Sequence, residues 1–346
     1  MFKVPTVIIV GAGASFDFGY PLGPNLLSNI IGGIVDAKRI YQLGSGHRPT
    51  IATDLDFLKY QYPIAYENAS SYLGCTTTEL VKFAEIANSQ TNKSVDRFLR
   101  DHPNLQKIGK YFIAQEIVQK SYSMIAEQVL PKNFRIGTPG WIGELINEMR
   151  EGTKNTHDLK ENKITLVTFN YDLSIEMALD AQFANTDIHR GADWRACVEV
   201  IHVYGQVEPP KETFVRQEFL DDIKKSARSI KIIGDVDSSQ ITDGHLEKIR
   251  EKISKAERVI SLGFSFDQAN VELLALNENR VGPKMTVLNY DGHYGVKRLL
   301  GDLDVKSSNI FAPEVMGGKM TIIDAIGFGL FTAPISNSVQ PGIVRL

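Results

Sequence analysis

With 346 residues, the chain is long enough to bury a large core and to hold one elaborated domain or two smaller ones. A hydrophobic fraction of 43% and a charged fraction of 23% are those of an ordinary globular protein, and a net charge of -3 without a long basic run excludes the electrostatic footprint of a nucleic-acid binder. No apolar run reaches the roughly 18 residues of a membrane span; an N-terminus that leads straight into a strand predicts no secretory signal, and two distant cysteines, Cys75 and Cys197, fit a reducing cytoplasm and form no metal-ligand pattern.

The first element is the most informative. Val7, Ile8, Ile9 and Val10 run into Gly11-Ala12-Gly13-Ala14-Ser15. Four β-branched residues followed by two glycines predict a buried parallel strand that breaks into a tight loop. Beyond the loop, Leu22, Leu26, Leu27, Ile30, Ile31 and Ile34 recur at helical spacing. A strand, glycine loop and helix in this order aim backbone N–H groups and a helix N-terminus at one point, which suits a phosphate. Gly11 and Gly13 admit a close backbone approach that a Cβ would block. The dehydrogenase fingerprint G-x-G-x-x-G asks for glycine where Phe16 stands. A ring there is expected to crowd helix–strand packing, which disfavours an ordinary Rossmann oxidoreductase.

Residues from about Gly44 to Thr78 are rich in Gly, Ser, Thr, Tyr and Pro and poor in periodicity, which predicts loop with short irregular pieces, a lid or a surface insertion. From Thr78 to Arg150 the pattern is helical. Thr78-Glu79-Leu80 opens one helix, and Ser94 caps another that carries Val95, Phe98 and Leu99, with Asp96 in its first turn or lining a pocket. A long amphipathic helix runs from Ile108 to Val129 and stops at Pro131, and Thr138-Pro139 starts one with Trp141, Ile142, Leu145, Ile146 and Met149 inward. These aromatics read as core. Alternating strands and helices then return: strands over Ile164–Thr168, Val198–Val203, Arg258–Leu262 and Lys284–Leu288, helices after Asp172, over Asp243–Lys255 and around Val271, and a connection through Pro209 and Pro210. The sequence therefore predicts an α/β fold, a Rossmann-like parallel sheet made of residues 1–40 and 160–346, with a mostly helical insertion at 41–159 between the first and second clear strands. No internal repeat is present, and the tail beyond Leu300 has no clear pattern.

Each predicted strand ends in small or polar residues: Gly11 to Ser15, Thr168-Phe169-Asn170-Tyr171-Asp172, His202 to Gly205, Gly263-Phe264-Ser265 and Asn289-Tyr290-Asp291. In a parallel sheet all strand C-termini share one edge, where ligands bind. These segments together resemble the sirtuin pattern. Gly11-Ala12-Gly13-Ala14-Ser15 with Gly19-Tyr20-Pro21 resembles G-A-G-x-S…G-x-P, Thr168 to Asp172 resembles T-Q-N-x-D, and Gly263-Phe264-Ser265 resembles the G-T-S loop. Asn289 with Asp291 resembles the motif that touches the adenosine ribose. The resemblance is strongest to the sirtuin-like NAD hydrolases of bacterial anti-phage defence, whose S-I-D-x-F-L segment Ser94-Val95-Asp96-Arg97-Phe98-Leu99 also resembles.

The resemblance implies a cytoplasmic NADase that splits NAD, its substrate, into ADP-ribose and nicotinamide. Such proteins act as abortive-infection effectors held off until a partner or signal arrives. It implies Asn170 and His202 as catalytic residues, Gly11, Ala12, Gly13 and Ser15 around the pyrophosphate, Ser265 on a phosphate or ribose, Asn289 on the adenosine ribose, Gly263 and Asp172 also in the cofactor site, and Asp172 orienting Asn170 or capping the next helix. It implies homo-oligomers or a defence partner such as a HerA-type ATPase, an Argonaute-like protein or a nucleotide-sensing subunit, with no direct nucleic-acid or membrane contact and no metal. Two departures stand out. Deacylating sirtuins hold a structural zinc on four cysteines, and this chain has two in all, which weighs against protein deacylation. Their catalytic histidine directly precedes a glycine, whereas Tyr204 precedes Gly205 here and His202 lies two residues earlier on the same strand face. Either His202 reaches the site from one step further in, or Tyr204 occupies the usual position and His202 belongs to the core. A non-catalytic nucleotide sensor within a larger assembly is the competing function.

Overall fold

The computed structural model describes residues 1–90, 94–126, 140–184, 193–211, 213–232, 244–290, 292, 294–313 and 318–332. Among the described residues there are six strands: β1 (Thr6–Val10), β2 (Ile164–Thr168), β3 (Val198–His202), β4 (Arg258–Leu262), β5 (Met285–Leu288) and β6 (Ile310–Phe311). They form one all-parallel sheet, flanked by helices, in the order β3-β2-β1-β4-β5-β6. This is the strand order of the doubly wound dinucleotide folds, and the expected α/β, Rossmann-like architecture is the one found. Every residue of β1, β2 and β4 is buried, and burial falls off in β3 and β6 at the two sides. Val, Ile and Leu dominate the central strands because helices cover both faces of a parallel sheet, so neither face needs polar side chains.

Register fixes the site. Val10 pairs with Thr168 and with Leu262, and Thr168 pairs with His202. The carboxyl ends of four strands therefore lie in one row, and the segments that follow leave the sheet side by side. Two such segments, after β1 and after β4, flank the point where the order reverses, which is where open α/β sheets take ligands.

Every described element between β1 and β2 is helical. The Gly44–Thr78 stretch, expected as loop, contains short helices at Asp54–Lys59, Gln61–Glu67 and Ala69–Tyr72. Thr53 caps the first of them through a capping box with Asp56, so local side-chain chemistry supplies what the weak periodicity lacks. The Ser94 cap is present, its hydroxyl accepting from Arg97 N–H at 3.4 Å. The long helix spans Gln106–Ala126 and the next begins at Trp141; the expected stop at Pro131 and start at Thr138-Pro139 lie outside the described residues. A helix at Arg216–Ser229 occupies part of what reads as a connection, burying Phe219, Leu220 and Ile223 among many charged residues.

Opposite the strand carboxyl ends, Arg258 opens β4 with a buried guanidinium that donates to the carbonyls of Leu330, at 2.9 Å, and Phe331. Burial pulls its pKa down to about 10. A cleft of about 420 Å³ lined by Glu144, Glu148, Arg150, Ile326 and Phe331 opens beside this contact. It is separate from the loops that carry the sequence motifs.

Candidate functional site

The loop after β1 winds at once into a single helical turn, Ala12–Ser15, and a 3-10 turn, Phe16–Phe18. The main helix begins only at Gly23. The expected glycine loop is thus itself helical, and the long helix does not start at the glycines. Phe16 points outward, 57% exposed, and does not crowd the packing as expected. The close approach is made by the glycines, and it is between loops. A Cβ on Gly11 would sit 2.4 Å from the Gly263 carbonyl oxygen, and one on Gly263, whose φ is +61°, would sit 2.4 Å from the Ala14 nitrogen. Gly13 N–H donates to the Gly263 carbonyl at 3.2 Å. Packing of the β1 and β4 segments therefore accounts for these glycines. Trp141, fully buried, donates its indole N–H to the Ala14 carbonyl at 3.0 Å and anchors the turn from the helical region.

Asn170 joins this turn from the end of β2. Its side-chain amide donates to the Gly11 carbonyl at 3.1 Å and to Ser15 Oγ at 2.7 Å. Ser15 Oγ in turn donates to Asp172 Oδ1 at 3.2 Å and lies 3.2 Å from Ser174 Oγ. Asp172 also accepts from Ser174 N–H at 3.0 Å, closing the start of the helix Ser174–Ala184. Asp172 thus secures the helix start and is linked to Asn170 through the Ser15 hydroxyl. Burial pushes its carboxyl above the ordinary value, against the pull of Ser174, Ser15 and His202. Asn170, Asp172 and Ser15 are all buried.

His202, the last residue of β3, is buried directly behind Asn170. Its Nδ1 lies 2.8 Å from the Asn170 carbonyl oxygen and its Nε2 lies 2.7 Å from Glu176 Oε1. Burial lowers its pKa, but the Glu176 carboxylate, the Asn170 carbonyl and the Asp172 carboxylate outweigh that, and the net direction is upward. Tyr204, the alternative occupant, turns its hydroxyl to Asn270 Oδ1.

A row of rings crosses the edge. Tyr204 packs edge-on to Phe169 at 5.6 Å between centroids, Phe169 meets Phe264 at 5.0 Å, and Phe264 meets Phe266 at 4.9 Å. Three of the four are buried; Phe169 is half-buried. The sequence reading passed over this row, although its signal is simple: an aromatic stands immediately or shortly after β2, β3 and β4. Phe266 adopts φ +54°, a strained setting for a ring-bearing residue, held by its complete burial.

The helix Val95–Asp101 reaches the same edge. Tyr171 Oη bonds to Asp96 Oδ1, and Arg97 lies 3.9 Å from Asp267, the cap of the helix Gln268–Leu273. Asp96 is therefore both a first-turn residue and a contact of the Asn170 segment; burial raises its pKa. Ser265 is exposed beside the β4 end, and Asn289 is buried after β5 with its N–H on the Phe311 carbonyl at 2.8 Å. Asp291 lies outside the described residues. Asn170, Ser15, Asp172, His202, Gly11, Gly13 and Gly263 thus form one connected cluster. No protein-family model matches the chain, and no curated protein matches it in sequence.

Proposed function

We propose that the chain is a sirtuin-like NAD hydrolase, an effector of anti-phage defence that binds NAD across the ends of β1, β2 and β4 and breaks its nicotinamide–ribose bond. The observation that carries this is the Asn170 amide, 3.1 Å from the Gly11 carbonyl and 2.7 Å from Ser15 Oγ: the only asparagine of the T-x-N-x-D segment stands against the glycine turn it would serve. An amide has two N–H donors and one carbonyl acceptor. With both N–H groups used inside the protein, Asn170 Oδ1 is the group that accepts from the attacking water or a ribose hydroxyl and orients it.

The reaction is NAD plus water to ADP-ribose, nicotinamide and a proton. The C1′–N bond breaks with its electron pair going to the nicotinamide ring, which leaves neutral and needs no acid. The ribose passes through an oxocarbenium-like state, as in glycoside hydrolysis, and water adds at C1′ and loses its proton. The half-buried ring of Phe169 offers an apolar surface beside Asn170 for a departing aromatic group. The effector works in the cytoplasm as a homo-oligomer or with a defence partner that releases it.

A second reading, a nucleotide sensor without turnover, is favoured by the burial of His202 and the engagement of both its ring nitrogens. Incubation of the protein with NAD, alone and with the products of neighbouring genes, followed by chromatography for nicotinamide, separates the readings. Nicotinamide release supports hydrolysis. Saturable NAD binding with no release under any condition supports the sensor, and release that requires an acylated peptide would make it a deacylase.

A further inference from the structure

We propose that Glu176 is a positioning residue: its carboxylate holds His202 as a doubly donating imidazolium, and that ring fixes the main chain of Asn170. The inference rests on the NAD-site reading only for its consequence on binding; the clamp itself stands on contacts. His202 Nδ1 faces a carbonyl oxygen, that of Asn170, at 2.8 Å, and Nε2 faces a carboxylate oxygen, Glu176 Oε1, at 2.7 Å. Neither partner has a proton to give when Glu176 is ionised. Both ring nitrogens must then donate, and an imidazole that donates at both carries a positive charge. Such a ring has no lone pair with which to take a proton, so in this arrangement His202 is not poised as a general base.

The surroundings agree. Asp172, from the segment after β2, is the second carboxylate near the ring. Glu176 comes from the helix Ser174–Ala184, and His245, at the start of the helix His245–Lys255, bonds through its Nε2 to the main-chain carbonyl of His202 at 3.0 Å. Glu176 Oε2 is buried and makes no hydrogen bond within the described residues, so the bond from His202 is the one its carboxylate receives there. A carboxylate oxygen shut off from water with no hydrogen bond is costly unless a charge stands beside it. His202 supplies that charge, and the pair sits under the residue whose amide spans the β1 turn.

The test uses the full chain with ¹⁵N-labelled histidine. The proposal predicts that at pH 7 His202 shows two protonated ring nitrogens and titrates above the ordinary value of about 6.5. In Glu176→Gln, whose amide oxygen still accepts from Nε2 but carries no charge, the midpoint falls by about one unit, a tenfold change in proton affinity. NAD binding by calorimetry is then strongest below that midpoint in the wild type and weakens as pH rises through it; Glu176→Gln binds more weakly at pH 7 and shifts this dependence to lower pH. A neutral, singly protonated His202 at pH 7, or a titration unchanged in Glu176→Gln, overturns the clamp and returns His202 to the role of base. Wild-type protein that binds no NAD at all sinks the NAD-site reading, while the nitrogen spectra still decide the clamp.

Discussion

The side-chain amide of Asn170 ties together segments 159 residues apart in sequence. Removing it in Asn170→Ala leaves the Gly11 carbonyl and the Ser15 hydroxyl short of a donor in a buried setting, a loss of about 1–3 kcal/mol. The variant is expected to remain folded with a lowered melting temperature and to release no nicotinamide. Gly263 supports the same turn from the other side. In Gly263→Ala the new methyl meets the Ala14 nitrogen at 2.4 Å in a backbone setting of φ +61°, and the cost should be about 3 kcal/mol or more. Gly152 has φ +77° with open space around it, so Gly152→Ala should cost only about 1 kcal/mol. Urea titration of the two variants separates the dihedral effect from the collision; equal losses would show that the two loops do not press on each other.

Among the elements, those with a single dominant signal were the most legible. β1, β2 and β4 fall where the β-branched runs place them, because a strand buried on both faces has no other way to be written. Helix starts were less exact. Three threonines, Thr76, Thr77 and Thr78, precede Glu79, and the sequence reading opened a helix at the third. The cap is the first: Thr76 Oγ1 accepts from Glu79 N–H at 3.2 Å and Glu79 Oε2 accepts from Thr76 N–H at 2.7 Å. Only the N3 spacing of the glutamate distinguishes the three. Thr76→Ala should therefore destabilise the protein by about 1 kcal/mol, while Thr78→Ala changes little, as chemical denaturation will show. The helix Arg216–Ser229 escaped notice because seven of its fourteen residues are charged and its buried stripe of Phe219, Leu220 and Ile223 is narrow. The aromatic row escaped because its members follow three different strands and meet only through the sheet register.

Over the whole molecule, the parallel order of the sheet was legible from the alternation of strands and helices, and the convergence of the Asn170 segment on the glycine turn followed from the rule that strand carboxyl ends share an edge. Side-chain partners were not legible. Nothing in the spacing of His202 and Glu176 announces that one neutralises the other, since the contact depends on how the helix after β2 lies behind β3. That contact has a global consequence. A histidine whose folded-state pKa is raised contributes stability that is complete below its unfolded value of about 6.5 and is lost as pH rises through the folded value. Melting curves should show wild-type protein losing stability as pH rises above about 6.5, with His202→Gln losing less over the same range; a steeper loss in the variant would contradict the assignment.

The account depends most on where NAD lies. A crystal structure of the full chain with NAD, using Asn170→Ala if the wild type consumes it, measures that directly. The expected result places the nicotinamide ribose against residue 170 and the pyrophosphate over Gly11–Gly13. An ordered dinucleotide seated elsewhere, or with its adenosine end at residue 170, would contradict it.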